Sequence, residues 1–308
     1  MFFPYRAKIE LHRVPVLTIL VCLLCIGIFA AQSSNRRALQ EAAIEHCEHE
    51  HSRGFLQALR RVAGSDDPRT CTMLMLTLAN SRDEKAELAQ IVQRLGSAER
   101  LGDQRLAAYY EQALLDSYRS FRAGAPANLT ARLAYSPDSW NPLRMLSAAM
   151  AHASWSHVIG NLIFFYAFAA TIEILLGPLL YLAVLVVLAL GTHTVYSIAM
   201  MHDAQALPTV GLSGVVMGMI ALFVYFIPQA RISCFLWLIF FYRRFALPAW
   251  LLATWYIGWD VYTMFTTEGK TGVNLVAHLS GAALGFGIGA VFFRQKRHWA
   301  QDLVEERG

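Results

Sequence analysis

Apolar residues in this chain gather in long blocks instead of recurring as stripes. Val14 to Ala31 runs for about 18 residues without a charge, long enough for a helix to cross a hydrocarbon core of about 30 Å. Five further blocks follow, at His157 to Leu176, Leu179 to Met200, Val210 to Ile227, Leu247 to Phe265 and Leu275 to Phe293. Between the first two blocks, from Gln32 to about Met150, charged residues return. In Glu84 to Leu95 and Leu101 to Tyr118 the apolar positions recur at three and four, the pattern of amphipathic helices facing water. Turn residues at Gly64 to Pro68 and Ala123 to Asn128 divide this stretch into helical segments. Ile232 to Tyr242 is apolar but only about 11 residues long, so it reads as an interfacial or re-entrant piece. The pattern predicts an all-α polytopic membrane protein of six spans with a water-facing helical insertion. Its parts are a first span within 1–31, the insertion 32–150, spans two to six within 151–293, and a basic tail 294–308.

Composition agrees with a membrane class. The chain has 308 residues, 56% hydrophobic and 16% charged, which excludes disordered, collagenous and small disulfide-rich proteins. A net charge of +4 is small, and its basic residues sit at block edges, so a nucleic-acid partner is not expected. Arg6, Lys8 and Arg13 precede the first block, Arg231, Arg243 and Arg244 separate the fourth from the fifth, and Arg294, Lys296 and Arg297 follow the sixth. Because Lys and Arg mark the cytoplasmic side, both termini are expected there, in a cell membrane read as a bacterial inner membrane. A cleavable signal peptide is the lesser reading of the first block, whose apolar core exceeds the usual 7 to 15 residues.

Polar and ionisable residues inside apolar blocks are costly and therefore candidate functional groups. His157 and Asn161 open the second block one helical turn apart. Ser213 lies near the start of the fourth among Gly211, Gly214 and Gly218, and His278 near the start of the sixth before Gly281, Gly285 and Gly289. Each has an ordinary alternative, since serine can bond its own helix, histidine can pack, and glycines four apart let helices approach. These three spans run in one direction, however, so the groups enter at similar depth below the outer surface. A serine, an imidazole and hydrogen-bond donors in one layer are what nucleophilic acyl transfer needs. The glycine faces explain how the fourth and sixth spans come close, with Ile288 expected on the lipid side.

These residues resemble the rhomboid intramembrane serine proteases. The likeness rests on H-x4-H-x3-N at His152, His157 and Asn161, G-x-S-G at Ser213, and A-H-x2-G-x3-G-x3-G at His278. It implies a six-span core, with Ser213 as nucleophile and His278 as general base of a dyad. It also implies an oxyanion hole from His157, Asn161 and the Ser213 backbone N–H, and a supporting role for His152. Glu173, near the inner end of the second span, matches a structural family position. No metal or cofactor is implied. The implied partners are the lipid bilayer and single-span or polytopic membrane-protein substrates, whose transmembrane segments would be cut. The chain departs from the family in having Leu143 before Arg144, with Trp140 displaced, and Met217 where an aromatic is frequent. A rhomboid-like binder that holds membrane clients without cutting them is the alternative, and a transporter a third reading.

Other features read as structural. His46, Cys47, His49 and His51 offer metal-ligand types on one short stretch, where a solvated polar face is the better reading. Cys47 and Cys71 both fall in the insertion, and spacing leaves their pairing open. Cys22, Cys25 and Cys234 read as buried thiols. Asp260 in the fifth block reads first as a structural hydrogen-bonding group, and as a third member beside His278 only second. The aromatics Trp250, Trp255, Tyr256, Trp259 and Tyr262 fit a lipid-facing belt or, by resemblance, a mobile helix admitting substrate.

Overall fold

A computed structural model describes residues 2–7, 13–50, 52–81, 84–98, 104–203, 206–238, 241–267 and 273–305. The chain forms two compact units, one from residues 1–29 and 133–308 and one from residues 30–132. It begins with strand β1 (Phe2–Ala7) and helix α1 (Val16–His49), whose later turns belong to the second unit. The second unit continues through α2 (Arg53–Ala63), α3 (Pro68–Asn80), α4 (Glu84–Ala98), α5 (Gln104–Gly124) and α6 (Leu129–Leu133). Leu39, Phe55, Leu59, Met75, Leu78 and Leu114 are among its core residues, and a disulfide joins Cys47 to Cys71, pinning the end of α1 to α3. Asp67 caps α3, accepting from the Thr70 N–H at 2.9 Å. His46 Nε2 lies 3.0 Å from Ser117 Oγ, and His49 Nδ1 lies 2.8 Å from its own helix at Glu45 O. His51 falls outside the described residues.

The first unit resumes with α7 (Pro142–Met150), α8 (Trp155–Leu176), α9 (Pro178–Ala199) and α10 (Ser213–Phe226). Strands β2 (Arg231–Leu238) and β3 (Phe241–Pro248) follow, then α11 (Ala249–Thr266), α12 (Leu275–Phe292) and α13 (Arg294–Glu305). Residues 133–150, grouped with the insertion by composition, belong to this unit, where Tyr135, Met145 and Ala148 pack with Tyr196 of α9. Among the described helices α1, α8, α9 and α12 are long and apolar enough to cross a membrane. The 18-residue α11 has its hydropathy lowered by Asp260 and its Trp and Tyr residues. The fold is a helical polytopic membrane architecture.

Helix α10 is apolar on every side, the mark of a buried helix, and buries all of its residues except Ser213 and Val224. It has 14 residues, whereas the fourth apolar block predicts a helix from Val210. The difference lies at Gly211, whose φ of +132° is closed to an L-residue helix. Ser213 therefore opens α10 instead of lying inside it. At about 1.5 Å per residue α10 is roughly 21 Å long, shorter than the hydrocarbon core.

The α10–α12 seam is backbone against backbone. A Cβ added to Gly281 would lie 2.9 Å from the Gly214 carbonyl carbon, and one on Gly285 would lie 2.7 Å from that of Gly218. Ile288, expected on the lipid side, is partly buried against the core.

The described residues of the apolar piece Ile232 to Tyr242, read from the sequence as interfacial or re-entrant, are extended and lie on β2 and β3. β1, β2 and β3 form an antiparallel sheet in that order, with Phe2 opposite Leu236 and Arg231 opposite Pro248. The strand before α1 and the two strands after α10 thus lie side by side within the unit. Glu173, on the last turn of α8, fixes the start of α1. Its carboxyl accepts from the N–H groups of Leu17 at 2.9 Å and Thr18 at 2.7 Å, and from Thr18 Oγ1 at 2.7 Å. Thr18 Oγ1 also meets the Tyr181 hydroxyl at 2.8 Å. These are first-turn donors that a helix cannot satisfy itself, and an acidic group suits the positive end of the helix dipole. Glu173→Ala orphans them, and we expect a loss of about 3 kcal/mol, read as a lowered unfolding temperature in detergent.

Candidate active site

The candidate site is assembled by three helix starts. Ser154 caps α8 by accepting from the His157 N–H at 3.2 Å, which sets His157 and Asn161 on the first two turns. Asn274 caps α12, accepting from the Ala277 N–H at 2.9 Å, and its amide donates to Thr209 Oγ1 at 3.2 Å. That cap places His278 on the first turn of α12. Helix α10 has no side-chain cap, and a turn at its start closes from the Val216 N–H to the Leu212 carbonyl at 2.9 Å. The N–H groups at its start, Ser213 first, have no acceptor within their own helix.

Two cavities meet here. One of about 500 Å³ is lined by polar groups that include Ser154, His193, Thr209 and Asn274. The other, of about 270 Å³, is lined mainly by apolar and aromatic residues, among them Phe164, Met217, Ile220 and Trp259. His157, Asn161, Ser213 and His278 line both. The sequence-derived Ser213, His278, His157, Asn161, Gly211 and Gly214 are therefore brought to one place, whereas Gly281 lies behind it at the helix seam.

Gly211 shows how tightly the site is drawn. A Cβ there would lie 2.8 Å from His157 Cε1 and 2.9 Å from Nε2, besides the strain of its φ, so only glycine lets the imidazole approach. The Ala153 N–H points at His157 Nδ1 at 3.5 Å, which leaves Nε2 to carry the proton and face the cavity as a donor. Asn161 Nδ2 and His278 Nε2 are buried without a protein hydrogen-bond partner. His278 Nε2 makes no hydrogen bond to Ser213, an arrangement that often tightens only when substrate is bound. His152, wholly buried, lies behind the site, with Nδ1 3.2 Å from Met150 O and its ring edge-on to His157 at 5.2 Å.

Two groups at the site were passed over or ranked low in the sequence. Asp260 Oδ2 lies 2.8 Å from His278 Nδ1, both side chains being about 15% exposed. His193 of α9 lines the polar cavity, with Nδ1 donating to Ala189 O at 2.7 Å and its ring against Tyr135 at 5.1 Å. Tyr135 is itself hydrogen-bonded to Ser197. Both Asp260 and His193 are ionisable residues within apolar blocks, which is the signal that could have found them. Chemically the site offers a hydroxyl, an imidazole whose Nε2 is free, and donors from a side-chain amide, a second imidazole and a helix N-terminus.

Residues 139–295 match the Rhomboid domain family. The chain is also 30% identical over 154 residues to the mitochondrial RHOMBOID-like protein 12 of Arabidopsis thaliana, covering 46% of this chain and 43% of that one. The chain thus spans less than half the length of this relative. No solved structure matches.

Proposed function

This chain belongs to the rhomboid family, and from that premise we propose that it is an intramembrane serine endopeptidase cutting transmembrane segments of other proteins. The observation that carries the proposal is the convergence of Ser213, His278, His157 and Asn161 on the junction of a polar and an apolar cavity. Ser213 Oγ attacks the scissile carbonyl carbon while its proton passes to His278 Nε2. The negative oxygen that forms is held by Asn161 Nδ2, His157 Nε2–H and the Ser213 N–H. His278 then gives its proton to the leaving amine, the C–N bond breaks, and an ester to Ser213 remains. Water enters through the polar cavity, loses a proton to His278 and displaces Ser213, which takes that proton back. The apolar cavity accepts a substrate side chain.

The short α10 fits chemistry within the membrane, because its Ser213 end is reached through residues 206–212. Basic clusters at Arg243 and Arg244 and at Arg294 and Arg297 support an orientation with both termini on the cytoplasmic side of a cell membrane. That membrane is read as a bacterial inner membrane, although the Arabidopsis thaliana relative is mitochondrial by name. The Cys47–Cys71 bond fits an oxidising compartment for the 30–132 unit.

The test is incubation of the purified protein with a single-span substrate and, separately, with a fluorophosphonate, the modified residue being mapped by mass spectrometry. Cleavage together with labelling of Ser213 is expected. A folded protein that does neither would be a binder of membrane clients instead. Asn161→Ala, which removes one oxyanion donor, is expected to lower cleavage about 10²- to 10³-fold without loss of labelling selectivity.

A further inference from the structure

Helix α11 holds to the rest of its unit unevenly. Its buried residues Ala249, Leu252 and Ala253 all lie in the first two turns. Further along, the Tyr256 ring meets Phe164 of α8 edge-on at 5.0 Å, while Trp255, Trp259, Tyr262 and Phe265 are exposed. Asp260 sits within this exposed half, yet its side chain is about 15% exposed and its Oδ2 receives His278 Nδ1 at 2.8 Å. A carboxyl group within an apolar helix is expensive unless it is bonded to a partner. Here the partner is the imidazole that the proposed reaction uses as its base.

We infer that Asp260 is a positioning residue for His278, accepting Nδ1–H so that Nε2 keeps its lone pair towards Ser213, and so coupling reactivity at Ser213 to the docking of α11. The inference rests on the proposed protease function. In the reaction Asp260 keeps its own proton count, and the proton moves only between Ser213, His278 and the leaving group. Its carboxylate fixes the tautomer, holds the ring plane and favours the imidazolium formed as Nε2 takes the serine proton. Loss of the α11–α12 bond would free the ring to turn, so a displaced α11 would leave Ser213 without an aligned base.

The titratable groups that line a cavity together with His278 are Asp260 and Tyr256 from α11, His157 from α8 and His193 from α9, with Ser213 from α10. Among these described residues Asp260 is the acid, so its removal takes away the acceptor of Nδ1–H. In Asp260→Asn the amide can donate to Nδ1 and drive the ring proton to Nε2, the wrong tautomer for a base. Fluorophosphonate labelling of Ser213 and substrate cleavage should both fall about 10²- to 10⁴-fold at neutral pH. Asp260→Glu, which keeps an acceptor for Nδ1–H, should restore part of the rate.

Proton NMR of ring-labelled histidine in the full chain reads the same contact without activity. A low-field Nδ1 proton of His278 is expected in the wild type and absent in Asp260→Asn. An inactive wild type that shows this proton would overturn the protease reading and leave the positioning contact standing. The inference is overturned if Asp260→Asn keeps full labelling and the low-field proton. It is equally overturned if Asp260→Asn loses rate and thermal stability together while the low-field Nδ1 proton persists, since a purely structural tie would behave that way.

Discussion

Ser213→Ala is expected to lower cleavage of a membrane substrate by about 10⁶-fold, and His278→Ala by a similar factor, with the double variant no worse than either. The non-additivity follows from the chemistry, since a hydroxyl without its base and a base without its hydroxyl are equally unable to form the acyl-enzyme. Residual rate would come from the oxyanion donors alone. The two variants differ in what else they disturb. Ser213→Ala removes one oxygen from a helix start that makes no side-chain cap, so folding should be unaffected. His278→Ala strips Asp260 of its 2.8 Å partner, and its unfolding temperature should fall as well. Quantifying cleaved substrate by mass spectrometry beside thermal unfolding separates the two effects. Wild-type cleavage by Ser213→Ala would sink the assignment of the nucleophile.

Much of this site was legible because direction and depth follow from counting apolar blocks. Spans two, four and six run the same way, so His157, Ser213 and His278 share a layer without any knowledge of contacts. The glycines of α10 and α12 were legible for a related reason, since their spacing of four marks one helix face. Backbone conformation was not. The φ of Gly211, which shortens α10, goes with a bond from its N–H to the Ala148 carbonyl at 2.8 Å, a partner more than sixty residues away in sequence and not a matter of local pattern. The small sheet was hidden too. Ile232 to Tyr242 carries apolar, β-branched and aromatic residues that suit a strand or a buried helix alike. What decides is pairing with Phe2–Ala7, more than two hundred residues away. Asp260 and His193 were obscured by a third cause. Each is a polar residue in an apolar block, but its meaning depends on which neighbour it faces, and helix rotation is not written in a nearly uniform apolar sequence.

Gly281→Val should be the most damaging change among residues with no chemistry of their own. Gly281 stands three residues after His278 and opposite Gly214, the residue that follows Ser213. A Cβ at this point would lie 2.9 Å from the carbonyl carbon of Gly214 and 3.3 Å from its Cα. The obstacle is backbone, so no side-chain rotation relieves it. α12 must instead move away from α10, carrying the imidazole with it. Overpacking alone costs about 1–3 kcal/mol, and displacing the base by about 1 Å costs roughly 10² in rate. Cleavage is therefore expected to fall by at least about 10², with a lowered unfolding temperature, although His278 and Ser213 are intact. Even Gly281→Ala should follow this course, since one methyl already meets the carbonyl. Gly287 on the same helix supplies the contrast, because nothing lies within 4 Å of its missing Cβ. Gly287→Ala should leave cleavage unchanged and raise helix stability by up to about 1 kcal/mol. Full activity and unchanged stability in Gly281→Val would mean that α10 and α12 do not meet at Gly214, and that Ser213 and His278 are brought together by some other contact.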